Sequence, residues 1–126
     1  MDASHQVRNQ VAFCRSHVIM ITSITRFPLP AGVPLETIKN GFREVAPHFK
    51  QPPGLLRKYF LISEDGKFGG GVYLWKSMEQ ARTFCEGVLI PTIKEKFKIE
   101  PSIEYFEVPV VVDNLTAEII ADGLSK

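Results

Sequence analysis

At 126 residues, 44% hydrophobic and 23% charged, the chain has enough length for one domain with a real core and too little for two ordinary ones. A net charge of +1, with Lys and Arg scattered along the chain, excludes the basic face of a nucleic-acid binder. The two cysteines, Cys14 and Cys85, have no metal-ligand or C-x-x-C spacing, which suits a reduced compartment, and no apolar run approaches the roughly 18 residues of a membrane-spanning helix.

The first sixteen residues are polar and lack the apolar centre of a signal peptide, so residues 1–16 read as an arm on a cytoplasmic protein. A β-branched run from His17 to Phe27 predicts the first strand, which Pro28, Pro30 and Gly32 break. Pro34 suits the first position of a helix. After it Leu35, Ile38, Phe42, Val45 and Phe49 recur at helical spacing until a stop near Pro47. Leu55 to Ser63 and Lys67 to Lys76 read as the second and third strands, joined at Asp65-Gly66. Ser77 and Gln80 have the spacing of a capping box, and the helix they open places Met78, Ala81, Phe84, Cys85 and Val88 on one face. Pro91 must kink or stop that helix, with a shorter one from Thr92 to Phe97 after it. Pro101 to Val112 alternates as a fourth strand, with an edge or bulge at Pro109. Residues 116–126 read as a tail, with one helical turn over Thr116 to Ala121.

The order β-α-β-β-α-β is the ferredoxin-like α+β plan, assigned to residues 17–115: one antiparallel sheet with two helices on one face. The second strand is apolar on both faces, Leu56, Phe60 and Ile62 against Leu55, Tyr59 and Leu61. The fourth repeats this, with Ile103, Tyr105 and Val111 against Phe106, Val108 and Val110. Two helices cover only one face, so a second copy of the sheet is the expected cover for the other, and a homodimer follows.

A two-residue loop at Asp65-Gly66 pairs Glu64 with Lys67. Counting outward, Ile62 meets Gly69, Phe60 meets Gly71, Lys58 meets Tyr73 and Leu56 meets Trp75. A three-residue loop would change these pairs. On this count Lys58, Phe60, Tyr73 and Trp75 share a face above Gly69 and Gly71, while Arg57, Tyr59, Val72 and Leu74 share the other. The functional reading is a pocket floored by glycine and walled by aromatics, with Lys58 as its polar handle, suited to a planar molecule. The plainer reading is a bulge at the glycines, ordinary core aromatics, and a lysine that snorkels to solvent. Of the histidines His5, His17 and His48, no two have ligand spacing, and no metal set is expected. His48 sits near a helix C-terminus and could reach the helix-facing side of the sheet. Cys85 reads as buried and inert. No P-loop, dinucleotide fingerprint or nucleophile triad is present.

The segment Pro53-Gly54-Leu55-Leu56-x-Lys58-x-Phe60-Leu61, then Gly70-Gly71-Val72-Tyr73-Leu74-Trp75 and Ala81, resembles the YdhR-like monooxygenases of the dimeric α+β barrel superfamily. With the Val108 to Asn114 ending, the resemblance spans Val18 to Leu115. It implies a homodimer whose two sheets face each other as a barrel, each subunit keeping a pocket between sheet and helices. Related barrel enzymes oxidise polycyclic aromatics with oxygen and no metal, flavin or haem, because the deprotonated substrate itself reacts with oxygen. The resemblance therefore implies a monooxygenase without cofactors, acting on a small aromatic or polycyclic compound. On the hairpin register counted above, and not by carry-over of known catalytic residues, Lys58 would stabilise the anion and Tyr73 would donate a hydrogen bond as the catalytic pair. Phe60, Gly69, Gly71, Trp75 and His48 would form the substrate-binding set. The alternatives are a non-catalytic barrel that binds an apolar small molecule, or a haem-binding barrel with His48 or His17 on the iron. Fold alone does not choose among them.

Overall fold

The computed structural model describes residues 20–121, so His5, Cys14, His17 and the expected N-terminal arm lie outside the described residues. Strand β1 (Met20–Pro28) alternates sides, burying Ile21, Ser23 and Thr25 under the helices. Helix α1 (Leu35–Val45) continues into a 3-10 turn, Ala46–Lys50, as Pro47 enters at the position where its missing N–H costs least. Strands β2 (Leu55–Ile62) and β3 (Phe68–Trp75) follow as a hairpin.

Ser77 caps helix α2 (Met78–Phe84) as its sequence predicts: its Oγ accepts from the Gln80 backbone N–H at 3.1 Å and donates to Gln80 Oε1 at 3.2 Å. Pro91 does not stop this helix. The chain widens into a π-turn over Cys85–Leu89 and resumes as α3 (Ile90–Phe97), two residues earlier than expected. A wider turn accommodates a proline that cannot donate to the carbonyl one turn back. Lys98, in the left-handed conformation (φ 57°), ends α3.

Strand β4 (Ser102–Val108) completes a sheet of order β2-β3-β1-β4 in which every neighbouring pair is antiparallel. This is the ferredoxin-like α+β arrangement. Ile21, Tyr73, Trp75, Ala81, Cys85, Leu89 and Ile93 form the core between the sheet and the second helical stretch. On the opposite face Tyr59, Leu61 and Phe106 are 52%, 38% and 44% exposed, so large apolar side chains stand open there.

Beyond Pro109 the helical turn expected over Thr116 to Ala121 is replaced by a hairpin of β5 (Val110–Asp113) and β6 (Glu118–Ala121). The Asp113 carboxylate accepts from the backbone of Leu115 at 3.0 Å and Thr116 at 3.3 Å, and Ala117 turns left-handed (φ 61°), which reverses the chain instead of coiling it.

Candidate active site

The β2–β3 register places the chemistry. Ile62 pairs with Gly69, Phe60 with Gly71 and Lys58 with Tyr73, as the count from Asp65-Gly66 predicts. The loop itself is wider than two residues. Ser63 N–H donates to the Phe68 carbonyl at 2.8 Å, and the Asp65 carboxylate accepts from the Lys67 backbone at 2.9 Å and the Ser63 hydroxyl at 2.7 Å. Four residues centred on Asp65-Gly66 preserve the same pairing as two, so the register survives. It shifts only at Leu56, where a bulge lets Leu55, and not Leu56, face Trp75.

Lys58, Phe60, Tyr73 and Trp75 therefore share the helix-facing side, but in two depths. Trp75 and Tyr73 lie 0% and 2% exposed, stacked with ring centroids 5.9 Å apart. Trp75 Nε1–H donates to Ser23 Oγ at 2.9 Å, and that oxygen lies 3.6 Å from Cys85 Sγ. Burial raises the Cys85 thiol pKa, and the Ser23 hydrogen bond only partly offsets this. Burial likewise holds the Tyr73 phenol far above its ordinary value, against a smaller opposing effect of Thr25. The Thr25 hydroxyl is itself buried and without a hydrogen-bond partner among the described residues.

Nearer the surface, the Lys58 ammonium is enclosed by aromatic faces. Its Nζ stands 3.4 Å from the ring centroid of Phe49, 3.8 Å from Phe60 and 4.6 Å from Tyr73. Among the described residues it makes no hydrogen bond or ion pair. Burial without a counter-charge pulls its pKa from 10.5 down to about 7, a small attraction from Cys85 notwithstanding. Phe49 is the residue that sequence periodicity did not single out for the site. It arrives through the 3-10 turn and meets Phe60, Tyr73 and Phe84 with centroids 5.5, 6.2 and 5.8 Å away.

Beside this cage lies a hollow of about 390 Å³, at the edge strand β2 under the 3-10 turn. Ala46, Phe49, Lys50, Leu55, Leu56, Arg57, Lys58 and Phe60 line it. Of the expected site residues, Lys58 and Phe60 face the hollow, while Tyr73 and Trp75 stand behind them and do not line it. Nor do Gly69 and Gly71 floor it. A methyl on Gly71 would meet the Tyr73 ring at 3.0 Å and the Lys58 chain at 3.1 Å, and one on Gly69 would meet Leu29 at 2.9 Å. The glycines thus make room for Lys58, Tyr73 and Leu29 rather than for a ligand. His48 is exposed and outside the hollow, because successive side chains of a 3-10 turn point in different directions and Phe49 takes the inward one. The described residues accordingly offer no imidazole to iron in this hollow. They also contain no group of three or more His, Cys, Asp or Glu placed to hold a metal ion, and no helix long and apolar enough to cross a membrane.

Residues 25–117 match the family model described as "Putative mono-oxygenase ydhR". No curated protein matches the chain in sequence. Among solved structures, a protein of unknown function from Nitrosomonas europaea superposes with a TM-score of 0.58 at 11% identity, covering 74% of this chain and 92% of that one. SnoaB, a cofactor-independent oxygenase from Streptomyces nogalater, gives 0.56 at 20% identity over 75% and 98%. The monooxygenase ActVA-Orf6 of Streptomyces coelicolor, solved with nanaomycin D, gives 0.54 at 16% identity over 73% and 88%. At these identities the likeness is one of fold.

Proposed function

The chain belongs to the ydhR mono-oxygenase family, and from that premise we propose that it is a cofactor-independent mono-oxygenase that oxidises a planar, electron-rich phenol in the hollow beside Lys58. The observation that carries this reading is the caged lysine: an amine with a pKa of about 7, in an aromatic enclosure, at the wall of a ligand-sized hollow. Near neutral pH about half of such amines are unprotonated, so Lys58 can take the phenol proton and remain beside the phenolate as an ammonium. The surrounding rings raise the worth of that ion pair by excluding water.

The phenolate then gives an electron to oxygen, and recombination at a ring carbon forms a hydroperoxide that loses water. The balance is a phenol bearing a free para C–H plus O₂ giving a quinone plus water. The substrate supplies all four electrons, and one oxygen atom is retained. Phe60 and Phe49 offer stacking faces. Tyr73 acts as a positioning residue through its contact with Lys58, and Trp75 supports Tyr73 from behind. Storage of an apolar ligand without chemistry is the weaker reading, since a desolvated amine in the wall serves no apolar guest.

The same reading makes the protein a cytoplasmic homodimer with residues 1–16 as an arm outside the domain. The open apolar face with Tyr59, Leu61 and Phe106 supports pairing of two sheets. A solution mass of two 14.2 kDa chains is the expected result, and a monomer would overturn it.

The activity is tested by oxygen consumption with a panel of anthrones and hydroxynaphthalenes, corrected for autoxidation, for wild type and Lys58→Met. One O₂ per substrate and a loss of roughly 100-fold in the variant are expected. No uptake with any compound, or uptake unchanged in Lys58→Met, would sink the mechanism.

A further inference from the structure

The Lys58 nitrogen stands apart for what it lacks. Among the described residues it donates to no acceptor and pairs with no carboxylate, the ion pairs there being Arg43–Glu36, Arg82–Glu86 and Lys94–Glu100. It is not sealed off either. The Thr25 hydroxyl is the one side-chain N or O among the described residues that is both fully buried and unpartnered, so Lys58 Nζ, equally without a partner, keeps some accessible surface. Lys58 and the two rings nearest its Nζ, Phe49 at 3.4 Å and Phe60 at 3.8 Å, all line the hollow, which puts that surface at the hollow's wall. The stem is held as well: Tyr73 closes the inner side of the cage, and Cε lies so near Gly71 that a methyl there would meet it at 3.1 Å.

We propose that Lys58 is also a nucleophile, which captures a planar aromatic aldehyde in the hollow as a covalent imine. A positioned, desolvated amine with a free lone pair, facing an apolar space of ligand size, is the arrangement in which lysines react with carbonyls. The nitrogen attacks the carbonyl carbon, and its proton passes to the carbonyl oxygen to give a carbinolamine. Loss of water then forms the C=N bond. One amine and one aldehyde give one imine and one water, with nothing oxidised or reduced. Phe49 and Phe60 offer faces to the aldehyde's ring, and the same faces stabilise the imine in its protonated form. The low pKa of Lys58, about 7, adds to the geometry: at neutral pH about half of these amines are unprotonated, against roughly one in 3,000 for an ordinary lysine. The proposal uses the same hollow as the mono-oxygenase reading but needs no oxygen. An imine at Lys58 leaves no amine to take a phenol proton, so such an aldehyde competes with oxidation.

The test treats the full wild-type chain with 2-naphthaldehyde and cyanoborohydride, which reduces the C=N bond to a stable secondary amine, and locates the label by peptide mass spectrometry. At pH 7 Lys58 should be labelled at least roughly tenfold faster than any other lysine. That excess should shrink as pH rises toward 10, because the other lysines gain free amine there and Lys58 does not. Excess 2-naphthalenemethanol, which has the same ring and no carbonyl, should slow the labelling of Lys58 and leave the other lysines unchanged. In denaturing urea the preference should vanish. Label spread evenly at pH 7, an excess unchanged from pH 7 to 10, a preference that survives urea, or no protection by the alcohol would each overturn the proposal. Preferential labelling of Lys58 without oxygen uptake from any phenol would leave it standing and remove the mono-oxygenase reading. Oxygen uptake without preferential labelling would do the reverse.

Discussion

Replacing Lys58 by Met keeps the length and apolar bulk of the side chain and deletes its proton. In the folded protein the amine titrates near pH 7 because burial disfavours its charged form, whereas its ordinary value is 10.5. Between those two values the unfolded chain holds the proton and the folded chain releases it, so stability rises with pH across that window. The destabilisation is therefore complete below about pH 7 and disappears as pH climbs toward 10.5. At 1.36 kcal/mol per pH unit the interval has a ceiling of about 5 kcal/mol. Lys58 is half-buried, and solvent screening reduces this to about 2–3 kcal/mol. Urea unfolding of wild type and Lys58→Met at pH 6, 8 and 10 measures it, since the other titrating groups are common to both proteins. Lys58→Met should gain about 2–3 kcal/mol on wild type at pH 6, and most of that gain should be gone at pH 10. A difference that stays constant from pH 6 to 10 would refute the desolvated-amine argument. The kinetic counterpart is a wild-type kcat/KM that rises with pH and levels off above about 7.

Three further outcomes follow from packing and backbone geometry. Gly70→Ala should lose about 2 kcal/mol or more by thermal unfolding, because its Cβ would run into the Thr25 carbonyl and lie 3.2 Å from Arg26 Cα, whereas Gly87→Ala meets nothing within 4 Å and should be tolerated. Trp75→Phe should cost about 2–3 kcal/mol in urea, by leaving a void in the core and removing the donor to the buried Ser23 hydroxyl. Lys98→Gly should relieve the left-handed backbone at the end of α3 and raise Tm by roughly 3–6 °C, with identical melting curves for wild type and variant counting against that account.

Much of the scaffold is written in short-range patterns. Ser77 and Gln80 announce the second helix, and Asp65-Gly66 centres a hairpin whose pairing is the same for a two- or four-residue loop, which is why Lys58 and Tyr73 meet as counted. Asp113 is legible only in hindsight. An Asx turn followed by a left-handed Ala117 gives no helical or glycine signal, so nothing local predicts the terminal hairpin. The site was half legible. Aromatic alternation located Lys58 and Phe60, but the depth of each ring was hidden, and Phe49 carried no local mark of function.

The sequence by itself determined the β-α-β-β-α-β order as far as Val108, the α+β plan and the face shared by Lys58, Phe60, Tyr73 and Trp75, because periodicity and turn chemistry act over a few residues. The tertiary structure alone decided that Leu29, Lys58 and Tyr73 fill the space above the glycines. It also decided that the hollow opens at the β2 edge and that three rings desolvate one amine. Those outcomes depend on side chains far apart in sequence competing for the same volume, and close packing settles that competition only when the whole core is assembled.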